Sequence, residues 1–273
     1  MNDIEAIAIG GFDGMHKGHQ QLFAQLGDKG AIVAIENGYA NLTPKKQREL
    51  YTDYPILYLD LSDIKMLSGA EFIELLYTKF PLLKKIVVGY DFYFGKDRKY
   101  SFNDLKTLFK GDVVVVDEVA YNGDSIHSQK IRQKIKDGNI KGANAFLGYN
   151  YTLKGKHIKG QGLGAKELVA TINLEAEAYL MPKEGVYVSL TQLENEEHFH
   201  PSVSFFGHRV STDNSFAIET HILDGEVVCS DNATISLVSY IRENKKFDTL
   251  EKLKKAIQKD IAQAHKELKM LQL

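Results

Sequence analysis

The chain has 273 residues, 44% apolar and 26% charged, with a formal charge of −2. This length suits two modest domains that each bury a core, and near-neutrality gives no electrostatic case for a nucleic-acid partner. One cysteine, Cys229, excludes an intrachain disulfide. No apolar run of about 18 residues and no leader pattern opens the chain, so the expectation is a cytoplasmic protein with no membrane partner, monomeric or weakly oligomeric.

The first predicted element is a strand over Ile4–Ile9, followed by Gly10-Gly11-Phe12-Asp13-Gly14-Met15-His16-Lys17-Gly18-His19-Gln20. Glycines at a strand-to-helix junction let backbone amides approach an anion, and a helix from about Gly18 to Leu26, stopped by Gly27, offers its positive end. His16 and His19, three residues apart, are expected on one face of its first turn. The junction therefore reads as a phosphate site. The alternatives are a glycine-rich turn with incidental histidines, or a zinc pair, for which no third ligand stands at familiar spacing.

A strand over Ala31–Ile35 completes a βαβ unit. Next come Ile56–Leu59, a helix opened by Ser68 with Glu71 three residues on, Ile86-Val87-Val88, a helix after Ser101, and the apolar Val113–Val116. Short all-apolar strands between helices predict a parallel sheet covered on both faces, with the junction at a carboxyl end where open α/β sheets bind ligands.

Helices over about His127–Lys136 and Ile140–Phe146 precede a change of composition at Gly148-Tyr149-Asn150-Tyr151, which places the domain boundary between 148 and 149. Beyond it, the stretches Gly155 to Gly164, Thr171–Leu174, Gly185–Leu190, Val203–Phe206, Phe216–Leu223 and Thr234–Tyr240 predict a small antiparallel barrel. A last helix, capped by Asp248, carries Leu250, Leu253, Ile257, Ile261, Ala264 and Leu268 as one stripe for packing on the barrel.

The junction resembles the opening of the bifunctional riboflavin kinase/FAD synthetases, close to G-x-F-D-G-x-H-x-G-H-Q. Val88-Gly89-Tyr90-Asp91-Phe92-Tyr93-Phe94-Gly95 is similar to the family's V-G-x-D-F-x-F-G, and Ser128 through Arg132 falls where it carries S-S-T-x-I-R. Gly155 to Leu174 resembles the kinase glycine loop ending in P-T-A-N. Pro182 with Gly185-Val186-Tyr187, Gly207 with Arg209, Glu219-Thr220-His221-Ile222-Leu223-Asp224, and Arg242-Glu243 with Phe247 also match. The departures are Ala165, Leu168, Ala170 and Ile172 in the kinase loop, His127 and Gln129 beside Ser128, Val210 and Ser211, and the stretch Ile35-Glu36-Asn37-Gly38-Tyr39.

The resemblance implies a Rossmann-like nucleotidyltransferase domain over 1–148 and a β-barrel riboflavin kinase domain over 149–273. Riboflavin would be phosphorylated by ATP to FMN, and FMN adenylylated by a second ATP to FAD with release of pyrophosphate, with Mg²⁺ on the phosphates. In the first half His16, His19 and Arg132 are the catalytic candidates. Gly10, Gly11, Phe12, Asp13, Gly14, Gly18, Asp91 and Ser128 are the nucleotide or flavin contacts. In the second, Glu219 is the expected general base, Thr171 and Asn173 the hard-oxygen metal ligands, and Gly155, Gly160, Gly164 and Arg242 the binding residues. Plain alternatives stand beside these: Ser128 as a helix cap, Arg132 as a solvated charge, Glu219 as an exposed strand carboxylate, Phe12 and Phe92 as packing residues. At the level of function the alternatives are an FMN adenylyltransferase with a degenerate kinase barrel, and a noncatalytic flavin or nucleotide sensor.

Overall fold

The computed structural model describes residues 1–159, 169–194, 196–210, 214–224 and 230–271. They form two compact units, Met1–Ser128 and Gln129–Leu273.

In the first unit five parallel strands, β1 (Ala6–Gly10), β2 (Gly30–Glu36), β3 (Ile56–Asp60), β4 (Lys85–Gly89) and β7 (Asp112–Val116), line up in the order β3-β2-β1-β4-β7. Two hairpins flank this sheet: β5 (Tyr93–Phe94) with β6 (Tyr100–Ser101), and β8 (Ala120–Tyr121) with β9 (Asp124–Ser125). Their two-residue strands are too short for any periodicity to have signalled them.

The period of two along β1 divides the core. Ile7 and Ile9 pack with Phe72 and Leu76, while Ala6 and Ala8 pack with Phe12, Leu22 and Phe23 on the other face. Helix α1 (Lys17–Phe23) covers that second face. It ends before the expected Leu26 because Gln25 and Leu26 bond back only three residues, and Gly27 then turns left-handed at φ 69°. A 3₁₀ helix, Lys45–Tyr51, precedes β3, and a single turn, α2 (Leu61–Ile64), follows it. Helices α3 (Gly69–Lys79) and α4 (Phe102–Leu108) start at reciprocal caps, Ser68 with Glu71 and Ser101 with Asp104.

The strand order reverses between β1 and β4, because the chain leaves β1 toward β2 on one side and returns to β4 on the other. The carboxyl ends of these two strands therefore bound the crevice where such sheets take ligands. Gly10 ends β1 and Gly89 ends β4, so the glycine-histidine junction and Asp91 both stand at this point.

The second unit is a closed antiparallel barrel, β10 (Thr152–Ile158), β11 (Ile172–Glu175), β14 (Phe216–Ile222), β13 (His200–His208), β12 (Gly185–Leu193) and β15 (Asn232–Glu243) in spatial order. Pairing of β15 with β10 closes the ring and leaves no edge strand. Part of its interior is polar. The fully buried Ser189, Thr191, Ser202, Ser204 and Thr220 join hydroxyls at 2.7–2.9 Å. A hydroxyl both donates and accepts, so such a chain satisfies itself without water.

Helices α5 (Ser128–Lys136) and α6 (Ile140–Leu147) fall almost wholly in the barrel unit, so the compact units divide upstream of the composition change at Gly148. Asn144 gives the reason: its Nδ2 donates to Leu237 O of β15 at 2.9 Å, and its Oδ1 accepts from Tyr151 N–H at 2.8 Å. The C-terminal helix, Leu250–Met270, buries Ala264 and Leu268 against Val188, Leu190 and Val238, the packing role its stripe predicted. Two details differ. Thr249 rather than Asp248 is the cap, accepting from Lys252 N–H, and Asp248 instead pairs with Lys252 at 3.1 Å. Leu250, at the first turn, is exposed.

Candidate active sites

The loop after β1 is wound tightly: Phe12, Gly14 and Met15 have φ of 49°, 86° and 36°. Left-handed backbone at residues other than glycine persists only where the surroundings hold it, and it concentrates at functional sites. A set of hydrogen bonds holds this loop. The Asp13 carboxylate accepts from the N–H groups of Asn41, Leu42 and Thr43 at 2.9–3.2 Å, and Gly14 N–H donates to Thr43 Oγ1 at 2.8 Å. Ser128 Oγ donates to Asp13 O at 2.8 Å, and Arg48 Nε to Phe12 O at 3.3 Å. Arg48 is completely buried and ion-paired with Glu36.

These contacts revise several expected contact residues. The Asp13 carboxylate and the Gly14 N–H brace the loop. Phe12 is buried, edge-on to His19 at 5.1 Å and to Phe23 at 5.0 Å, a packing residue of this loop. Gly10 makes room for that ring, since a Cβ there would lie 3.0 Å from it. Ser128 opens α5 and ties it to the loop through Asp13. Gly11 is exposed and Asp91 is exposed, both open to ligand at the end of the sheet.

His16 is not within the helix, as the spacing suggested, but is its N-cap: His19 N–H donates to His16 Nδ1 at 3.3 Å. A neutral His16 that accepts at Nδ1 carries its proton on Nε2. This cap lays the two rings face to face, centroids 3.5 Å apart and 19° from parallel. Gly18 permits it, because a Cβ there would come 3.1 Å from the His16 ring. Burial, then the neighbouring His16 and the Arg48 guanidinium, hold His19 well below the ordinary imidazole range. His19 is thus a neutral imidazole, and its buried Nδ1 has no hydrogen-bond partner among the described residues. Sequence reasoning assigned both rings to neutralising phosphate charge; for His19 this environment favours the neutral form.

In the barrel, Asn173 on β11 and Glu219 on β14 are directly paired in register. Arg209, just past β13, joins them: its Nε donates to Glu219 Oε1 and its Nη2 to Asn173 Oδ1, each at 2.7 Å, while Nη1 reaches Ser215 Oγ at 3.0 Å. The other Glu219 oxygen takes no hydrogen bond among the described residues. Thr171 lies two residues before Asn173. A carboxylate and an amide oxygen thus meet on adjacent strands, oxygen donors of the kind that suit a magnesium-bound phosphate.

Two expected binding residues, Gly155 and Arg242, have other surroundings. Gly155 is buried inside β10, not in a loop, and a Cβ there would lie 3.0 Å from Leu174 Cβ and 3.1 Å from Glu175 O, so it serves strand packing. Arg242 is tied to Asp260 of the last helix at 2.8–3.1 Å and lies over the Phe247 ring, which makes it an anchor for that helix. Gly160 and Gly164, with Ala165, Leu168 and Ser211, lie outside the described residues. Arg132 sits on α5, in the barrel unit. Sequence reasoning missed Arg48, noted Glu36 only within a departing stretch, and gave Arg209 no role although it stood among the matching residues.

A switch-point parallel sheet carrying a histidine pair, followed by a barrel carrying a carboxylate beside hard-oxygen donors, defines a two-module enzyme of phosphate-group transfer. Residues 45–130 match the family model FAD synthetase, and residues 147–268 match the model Riboflavin kinase. The bifunctional riboflavin kinase/FMN adenylyltransferase of Listeria monocytogenes is 29% identical, the alignment covering 94% of this chain and 90% of the relative. That of Mycoplasma pneumoniae is 28% identical over 96% and 97%. A crystal structure of a macrolide-efflux protein from Streptococcus pneumoniae superposes with a TM-score of 0.82 at 26% identity, covering 95% of this chain and 93% of that one. The chain belongs to the bifunctional riboflavin kinase/FMN adenylyltransferase family. Among the described residues no helix is long and apolar enough to cross a membrane.

Proposed function

We propose that this enzyme converts riboflavin to FMN in the barrel and FMN to FAD at the end of the parallel sheet, with residues 1–148 and 149–273 as the catalytic halves and Mg²⁺–ATP as co-substrate of both. A FAD synthetase match over residues 45–130 and a riboflavin kinase match over residues 147–268 support that division of labour, and the cytoplasm is where we place the activity.

The adenylyl transfer joins a phosphate of FMN, already an anion, to the α-phosphorus of ATP. No strong base is needed, and the rate depends on placing the two phosphates and on donating hydrogen bonds to the oxygens that gain charge. His16 and His19 are stacked and pre-oriented, and His19, held below the ordinary imidazole range, acts as a hydrogen-bonding group rather than as a cation. The braced loop, held by Asp13, Arg48 and Ser128, fixes the backbone at Gly10 and Gly11 against which phosphate rests. Arg132 is assigned to the phosphates by the family resemblance alone.

Phosphoryl transfer to riboflavin starts from a neutral hydroxyl, so a proton acceptor is required. Glu219 offers an oxygen for that proton while Arg209 holds the other oxygen and orients the group. Thr171 and Asn173 would hold the metal, which supplies charge neutralisation at the phosphates.

The single observation that carries the kinase reading is the Arg209 clamp on Glu219 and Asn173: it presents a base beside phosphate-metal ligands, an arrangement a pure flavin sensor does not need. Purified protein incubated with riboflavin, ATP and Mg²⁺ should yield FMN and then FAD, separated by chromatography. FAD made from supplied FMN with no FMN made from riboflavin would instead establish a lone adenylyltransferase, and binding without turnover of either flavin a sensor.

A further inference from the structure

A second cluster of ligating side chains lies on the barrel, in the connection between β12 and β13. Glu196, His198 and His200 bring one carboxylate oxygen and two ring nitrogens within 4.8 Å of one another. Glu196 Oε2 is 2.6 Å from His200 Nε2 and 3.9 Å from His198 Nε2, and the two rings stand edge-on at 4.4 Å between centroids. We propose that these three residues form a binding site for a divalent transition-metal cation, with Zn²⁺ the best fit, distinct from the magnesium used in catalysis.

The donor chemistry selects the ion. Two imidazoles and one carboxylate suit borderline cations such as Zn²⁺, whereas Mg²⁺ takes oxygen donors in a stricter octahedron. The spacing suits it as well. Tetrahedral zinc with bonds of about 2.0–2.1 Å places its ligand atoms about 3.3 Å apart, between the two separations the Glu196 oxygen already has to the rings.

Backbone geometry makes the approach inexpensive. His200 opens β13, and the bend at residues 197–198 just before it, with Glu196 N–H bonded back to Leu193 O, holds the three side chains together on one short stretch of chain. Glu196 and His200 are only part-exposed, with side chains 30% and 21% accessible, while His198 is open at 68% and free to swing onto an ion. Glu196 also borders a cleft of about 170 Å³ shared with Lys154, Gln192, Glu194 and Asn232. That volume accommodates the waters that would complete the coordination sphere.

The cluster is separate from the kinase residues. His200 opens β13, and Glu219 pairs with Phe205, five residues further along that strand, or roughly 17 Å at about 3.4 Å per residue. A metal here would brace the β12–β13 connection rather than touch substrate.

The test uses the full chain stripped of metal with chelator. Zn²⁺ titrated in competition with a chromophoric chelator should occupy one more tight site in the unaltered protein than in His198→Ala/His200→Ala. Each single alanine, and Glu196→Gln, should weaken that site by about tenfold or more. X-ray absorption of the one-equivalent complex should show two imidazole nitrogens in the zinc sphere. FMN and FAD formation by the variants at saturating Mg²⁺–ATP should match the unaltered protein, which also certifies their folding. Equal zinc affinity and stoichiometry in the double variant, a bound zinc without histidine, or displacement by equimolar Mg²⁺ would overturn the proposal.

Discussion

His19 is the residue whose environment most constrains the chemistry. Enclosed beside Arg48 and stacked on His16, it is held well below the ordinary imidazole range, so the contribution we propose for it in adenylyl transfer is that of a directed hydrogen-bond donor. His16→Ala removes both the helix cap and a ring, and His19→Ala removes the other ring alone. Each should lower FAD formation from supplied FMN by about 10²–10³ while leaving riboflavin phosphorylation largely intact. Chromatographic assay of both products distinguishes this from a folding defect, which would lower both. The same burial has a pH consequence. Above the ordinary imidazole value of 6.5 neither folded nor unfolded His19 carries a proton; below it the unfolded chain binds one that the folded ring refuses. Stability of this unit should therefore fall as the pH drops through 6.5, by up to about 1.4 kcal/mol per pH unit from this group. Denaturant unfolding of His19→Gln between pH 7 and pH 5 should show a shallower decline than the unaltered protein. Identical slopes would place the acid sensitivity in other residues.

Elements were legible in the sequence to the extent that their signals were local. The capping box at Ser68 and the apolar runs of β1, β4 and β7 depend on neighbours a few positions away, and the structure has them where the pattern put them. The role of α5 and α6 was not legible, because it depends on Asn144 reaching β15 across ninety-odd residues of chain. Asp260 is similar: a carboxylate inside the apolar stripe of the last helix reads as a defect until Arg242 arrives from β15 to pair with it. Likewise Arg48 is one basic residue among Lys45, Lys46 and Arg48, and nothing in the sequence marks it as the buried one. The histidine pair was found, yet its stacking was not, since that required the cap at His16. These placements give a test at the scale of elements. A barrel fragment starting at 149 lacks α6, whose Ala143, Phe146 and Leu147 are buried, whereas one starting at 129 keeps it. At about 1.5–3 kcal/mol per large apolar side chain fully buried, Phe146 and Leu147 together are worth about 3–6 kcal/mol. Urea unfolding should show 129–273 more stable than 149–273 by roughly that amount. Equal midpoints would mean that these helices are not part of the barrel's own fold.

At the scale of the whole molecule, the chain joins two chemistries that share ATP but make different demands. Adenylyl transfer asks for placement and donors, which a sheet end with a braced loop provides. Phosphoryl transfer to an alcohol also asks for a base, and the barrel holds Glu219 with one oxygen clamped by Arg209. We propose that, Arg132 apart, the two requirements are met on separate compact units, so that one can be removed without the other. Glu219→Gln keeps the size of the side chain and an oxygen able to accept from Arg209, and deletes only the proton acceptor. FMN formation from riboflavin should fall by about 10²–10⁴, riboflavin binding should persist because it depends on pocket shape, and FAD formation from supplied FMN should be unchanged. Arg209→Lys provides the control: a lysine reaches one partner but not both in the planar geometry of the guanidinium, so kinase activity should drop while Glu219 remains able to accept a proton. A kinase indifferent to Glu219→Gln would move the base elsewhere without disturbing the family assignment. Loss of FAD synthesis alongside FMN synthesis would show instead that the two units work only together.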